Sequence, residues 1–243
     1  MLPAVPVPQS ASRAGLLDQP LYAVAEAARL LRVPERTLAR WLGGYRRNER
    51  RYPPVISGVH EPAHEVTWGE FVEAEFVRRY RASDVSMAQL RRLIQRLREQ
   101  FDVEYPLAHF RPYLGENRQL LLEVAEEAGV FMVVTGRRGQ LVLTPPAATF
   151  LGTVEFDLDG QVDGSADRGI ACALRPDGPG SVVTIRPDVA FGLPAVRGVR
   201  TEVLADALRA GEPLEDLAAG YDLEPDEVDA ARRWELSARA RSR

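Results

Sequence analysis

The chain has no lysine: all 31 of its basic side chains are arginine, in 243 residues. Biased base composition in the source genome is the plain explanation. Even so, every cation is then a planar fork suited to bidentate contact with phosphate or guanine. Cysteine is nearly missing too. The single Cys172 excludes an internal disulfide framework, suits a reducing compartment, and reads as a small core residue within an apolar run. Aromatics are only 7% of the chain. No apolar run approaches the roughly 18–20 residues of a membrane span. Pro3, Pro6 and Pro8 break the N-terminal apolar stretch, so no secretory signal is expected there. A cytoplasmic protein with no membrane partner is the expectation.

What is present falls into segments, and together they predict an α+β chain. Residues 1–20 read as a flexible tail rich in Pro, Ala and Ser. Residues 21–111 read as a winged helix-turn-helix. Val24, Ala27, Ala28 and Leu31 form the stripe of a first helix, and Arg32-Val33-Pro34 breaks it. A second helix over Glu35 to Leu42 turns Leu38, Trp41 and Leu42 to one face and Arg36, Thr37 and Arg40 to the other. Gly43-Gly44 stops it. The stretches Val55-Ile56 and Glu65–Trp68 read as a two-stranded wing. A helix over Gly69–Arg81 follows, then one capped by Ser86 with the seam Met87, Leu90, Leu93, Ile94, Leu97 and Phe101.

Residues 112–185 switch to period two. Runs at 131–134, 141–143, 154–156, 171–174 and 182–185 predict a small antiparallel sheet; Leu120 to Ala128 fits helix or strand equally. Residues 186–243 return to helices: Thr201 to Ala210 closed by Gly211, Pro213 to Gly220, and a last one opened by Pro225 with Val228, Ala231, Trp234 and Ala238 inward.

The formal net charge of −4 argues against nucleic acid until it is resolved along the chain. Between Arg29 and Arg51, eight Arg stand against Glu35 and Glu49, giving +6. Between Thr201 and Leu236, eleven acids stand against Arg209, Arg232 and Arg233, giving −8. DNA draws much of its binding energy from cation contacts, so the first helix-turn-helix can bind it and the acidic one is repelled. Arg36, Thr37 and Arg40 are the candidate base-reading residues; Arg46, Arg47, Arg50 and Arg51 in the wing are the candidate phosphate contacts. A solvated basic face is the alternative for the same cluster.

Catalysis finds no support. His60-Glu61-Pro62-Ala63-His64 spells a zinc-protease signature, but Pro62 denies it the helix that would align both imidazoles. Asp157, Asp159, Asp163 and Asp167 miss the calcium-loop spacing, since Gln161 replaces an expected ligand and no Glu closes the loop. No metal, cofactor or catalytic residue is expected.

Tyr22-Ala-Val-Ala-Glu-Ala-Ala-Arg-Leu-Leu-Arg-Val-Pro-Glu-Arg-Thr-Leu-Ala-Arg-Trp41, with the later Asp84 to Leu93 segment, resembles the DNA-binding head of MerR-type regulators over about residues 20–110. It departs at Arg32, where Gly is usual, and in a longer, proline-rich wing. Arg186-Pro-Asp-Val-Ala-Phe-Gly-Leu-Pro-Ala-Val-Arg-Gly-Val-Arg-Thr201, with Leu204 to Ala219 and Pro225 to Trp234, resembles a small antitoxin domain found beside PIN-like toxins. Val199 stands where Thr is common. Together the halves resemble VapB-type antitoxins. That resemblance implies a type II system in which a dimer or higher complex blocks a PIN-like ribonuclease and represses its own operon. It also points to Phe191, Leu193, Leu204, Leu208, Val228 and Trp234 as dimer or toxin contacts. A stand-alone MerR-like regulator sensing a ligand through its β-rich region is the alternative.

Overall fold

The computed structural model describes residues 15–56, 65–82, 85–109, 133–135, 141–143, 145–157 and 169–240. The N-terminal tail up to residue 14, the His60–His64 motif, Asp159, Asp163, Asp167 and Leu120–Ala128 lie outside the described residues.

The head begins earlier than its periodicity suggests. Leu17 is buried, and the carbonyls of Leu17 and Gln19 accept hydrogen bonds from the backbone N–H groups of Gly69 and Trp68. β1 (Pro20–Tyr22) leads into α1 (Val24–Leu30), which buries Ala27, Ala28 and Leu30. The turn after α1 closes with two backbone bonds, Arg32 N–H to Arg29 O at 3.1 Å and Val33 N–H to Ala28 O at 3.0 Å. This six-to-one closure places Arg32 at φ +55°, a conformation glycine normally supplies. α2 (Glu35–Gly43) follows with Leu38 and Trp41 buried.

The wing is built from different strands than the sequence pattern suggests. β2 (Tyr45–Arg47) and β3 (Arg50–Tyr52) form the hairpin, with Asn48 and Glu49 both at positive φ in the turn. Val55 and Ile56 are buried instead, and their N–H groups both donate to Trp41 O. β4 (Val66–Thr67) pairs antiparallel with β1, not with a wing strand. Burying Val55 and Ile56 beside α2 is worth more than leaving them on a solvated ribbon.

Thr67 caps α3 (Trp68–Arg81) through a reciprocal capping box with Glu70. α3 is buried around nearly its whole circumference, so it is the central post of the molecule. α4 (Met87–Phe101) opens with the Ser86–Gln89 capping box and buries Leu90, Leu93, Ile94 and Leu97 within the protomer, so its seam serves the head's own core.

In the middle region, β5 (Val133–Thr135) pairs with β6 (Leu141–Leu143), and β7 (Val154–Asp157) pairs with β8 (Ile170–Leu174). The expected single sheet is thus a set of two-stranded pairs among the described residues. Val182 to Ile185 forms only isolated bridges. A helix, α5 (Pro145–Thr153), stands between β6 and β7. Cys172 is half-buried rather than core, with its Sγ 3.4 Å from Glu155 O; burial nonetheless pushes its thiol pKa up.

The C-terminal module starts with a hairpin, β9 (Ala195–Val196) and β10 (Val199–Arg200). Helices α6 (Thr201–Ala210), α7 (Leu214–Tyr221) and α8 (Pro225–Ala240) follow the sequence pattern closely. Gly211 at φ +97° closes α6. Thr201 Oγ1 donates to Glu235 Oε1 at 2.6 Å, tying the start of α6 to α8 in the interior.

Head and C-terminal module share one apolar core. Trp68 Nε1 donates to Ala171 O at 2.7 Å, and Tyr22 OH donates to Gly192 O at 2.6 Å. The Arg32 guanidinium lies 4.2 Å from the centre of the Trp234 ring and 2.8 Å from Asp177. A stacked, paired cation offsets the strained backbone at that turn.

Candidate nucleic-acid interface

The exposed face of α2 carries Arg36 and Arg40; Gly44 then turns the chain into the wing. Gly44 has φ +71°, and a Cβ there would lie 2.4 Å from Tyr52 O, so only glycine lets the hairpin fold back so tightly. The hairpin sets Arg46 directly opposite Arg51 and Arg47 opposite Arg50, and all four are exposed. Like charges facing each other across a ribbon destabilise it unless an anion sits between them. No described carboxylate pairs with Arg36, Arg40, Arg46, Arg47, Arg50 or Arg51. Side chains alternate along the ribbon, so Arg47 and Arg50 share the face of Tyr45 and Tyr52 while Arg46 and Arg51 take the other. With Arg36 and Arg40 they make a basic region that has no ion-pair partner among the described residues.

An aromatic pair that the sequence pattern did not single out organises this surface. Tyr45 and Tyr52 stack at 4.7 Å and 8°. Arg40 lies 5.3 Å from the Tyr45 ring and Arg50 lies 5.4 Å from the Tyr52 ring. The stack joins α2 to the wing and restricts the rotamers of Arg40 and Arg50. Thr37 differs from expectation. It is half-buried and faces a cleft behind α2 rather than open solvent. Arg32, counted with the basic head in sequence, is used at the joint with Trp234 and Asp177.

The C-terminal candidates divide sharply. Leu204, Val228 and Trp234 are buried inside the protomer, where they hold α6 and α8 together and are closed to a partner. Leu193 and Leu208 are half-buried. Phe191 is 87% exposed and sits at φ +58°, between Ala190 at +51° and Gly192 at +76°. Three successive left-handed residues hold an aromatic ring in water, a costly arrangement of the kind found at binding sites. The Tyr22–Gly192 hydrogen bond anchors that loop; burial holds the Tyr22 phenol far above its usual pKa, so it remains a donor. On the acidic helices the local arginines are already engaged, Arg209 with Asp206 and both Arg232 and Arg233 with Asp229. Glu202, Glu212, Glu215, Asp216, Glu224 and Asp226 remain exposed.

Among the described residues no group of three potential metal ligands comes together, and no helix is long and apolar enough to cross a membrane.

The fold and its arginine surface define a helix-turn-helix protein with a distinct C-terminal module. Residues 20–94 match the family described as "Putative DNA-binding HTH domain", and residues 183–234 match "Protein of unknown function (DUF433)". The chain belongs to the family of the "Uncharacterized protein Rv2308" of Mycobacterium tuberculosis (strain ATCC 25618 / H37Rv), with 32% identity over 230 residues, 91% of this chain and 94% of that protein. It is also 28% identical to the "Putative antitoxin VapB45" of the same strain, over 87% of this chain and 92% of that protein. The crystal structure of Rv2018 from Mycobacterium tuberculosis has the same fold, with TM-score 0.68 and 24% identity over 88% of this chain and 98% of that one.

Proposed function

We propose that this protein is the antitoxin of a type II toxin–antitoxin pair. Its MerR-like head binds operator DNA and represses the operon, while its C-terminal module holds a PIN-like ribonuclease toxin in a neutral complex. It acts in the cytoplasm as a homodimer and catalyses no reaction itself. One observation carries the reading: a single chain joins an arginine surface with no described counter-ion to acidic helices whose own arginines are already paired. The first surface suits phosphate and base edges. The second repels DNA and suits a protein partner, with exposed Phe191 as an aromatic anchor. Likeness across most of the chain to a protein named as an antitoxin supports the same reading.

Co-expression with the product of the neighbouring gene tests it. A growth-inhibiting ribonuclease rescued by a stable complex is the expected result; a neighbour without that activity, or no complex, defeats the proposal and favours a stand-alone regulator. In the purified complex, Arg36→Ala with Arg40→Ala weakens operator binding by roughly 30-fold or more, at about 1–3 kcal/mol for each of two good base contacts. Toxin binding stays intact. Equal loss of both functions would show that the two surfaces are not separate.

A further inference from the structure

Behind the recognition helix lies a cleft of about 440 Å³, within the roughly 300–1,000 Å³ typical of small-molecule sites. Its floor is carbon, from Val33, Trp41, Val55 and Met87, and Arg40, Arg78, Arg81 and Arg91 line it as well. None of the described residues lining it is acidic.

The arginines are not equivalent. Glu75 takes Arg78 in a bidentate pair, at 2.6 and 2.7 Å, which neutralises it. Arg81 instead donates to the backbone carbonyl of Val85 at 2.6 Å, and Arg91 donates to Pro53 O at 2.8 and 3.2 Å. A carbonyl fixes a guanidinium in place without cancelling its charge. Two positioned cations with no carboxylate partner among the described residues, beside an apolar floor, are the complement of one kind of molecule.

We propose that this cleft binds a small organic anion, with an apolar body against Trp41 and Met87 and a carboxylate or phosphate head against Arg81 and Arg91. A DNA backbone phosphate brings no apolar body for the floor, and the exposed wing arginines meet it more directly. Thr37 and Arg40 belong both to the cleft and to α2. An occupant therefore draws Arg40 away from DNA and weakens operator binding; that consequence rests on the DNA-binding reading, whereas ligand binding does not.

Calorimetric titration of the full chain with 1-naphthaleneacetate, against 1-naphthylmethylamine as a cationic control with the same ring, tests the site without DNA or toxin. The acid is expected to bind with submillimolar Kd and the amine at least tenfold more weakly. Arg81→Gln with Arg91→Gln removes that preference. Met87→Glu removes it too, and it keeps the fold, because an acid at the first position of α4 suits the helix dipole. Equal affinity for acid and amine, no binding of either, or an unchanged preference in both variants would overturn the proposal. Loss of DNA affinity in Met87→Glu with no binding of the acid would also overturn it, by assigning the cleft to backbone phosphate.

Discussion

Three carboxylates on α3, Glu70, Glu73 and Glu75, are buried, and each is matched to a different local partner. Glu70 accepts the Thr67 N–H of the capping box, and Glu75 meets Arg78 and Arg79. Glu73 meets Arg98 at 3.1 Å and the Leu107 N–H at 3.3 Å. Full burial outweighs those two contacts, and its pKa is pushed up from 4.5 to about 8. Between those values the native state holds a proton that the unfolded chain has released, so this group's contribution to stability falls as pH rises through that window. Glu73→Gln cannot titrate. Urea denaturation from pH 5 to 9 is therefore expected to show the variant gaining on the wild type as pH rises; parallel curves would refute the assignment. At this scale the sequence was least legible. Spacing placed Arg32 in the basic head, and nothing local reveals that its ring partner is Trp234, from the last helix. Nor does a mid-helix Glu announce that it will be enclosed.

At the scale of elements, the helix ends were legible wherever the signal was local. Ser86 caps α4, Gly211 closes α6, and α8 begins at Pro225, because caps and left-handed closures are settled within four residues of the helix end. The wing was half legible. Its arginines were placed in it correctly, but Val55-Ile56 and Glu65–Trp68 resemble strands as strongly as Tyr45–Tyr52 does, and packing on Trp41 decided between them. The paired arginines of that hairpin lead to an opposed pair of effects. Arg46→Thr with Arg51→Thr removes a like-charge pair, so thermal stability is expected to hold or rise by a few tenths of a kcal/mol. The same variant loses up to two phosphate contacts, lowering the slope of log affinity against log salt by about 0.9 per contact. A salt titration of operator binding checks this. An unchanged slope would remove both residues from the interface.

For the molecule as a whole, the decisive feature is that the head and the acidic module are not independent. Arg32 reaches Trp234 of α8 directly, while Trp68 reaches Ala171, Tyr22 reaches Gly192 and Arg32 reaches Asp177 in the segment that leads into that module, all over one continuous core. Unfolding is therefore expected to be cooperative across the described chain. Tryptophan fluorescence, from Trp41, Trp68 and Trp234, and far-ultraviolet dichroism should give coincident denaturation curves. Two separated transitions would show that these joints do not couple the halves. The sequence by itself determined what is local or additive: the helix ends, the all-arginine basic set, and a +6 head joined to a −8 tail. Only the tertiary structure decided which hairpin forms the wing, where Arg32 and Glu73 belong, which apolar candidates are closed inside the core, and that a cation-lined cleft stands behind α2. The physical reason is range. Caps and charge counts depend on neighbours a few residues away, whereas burial, pairing and cavities depend on contacts between segments that no local window contains.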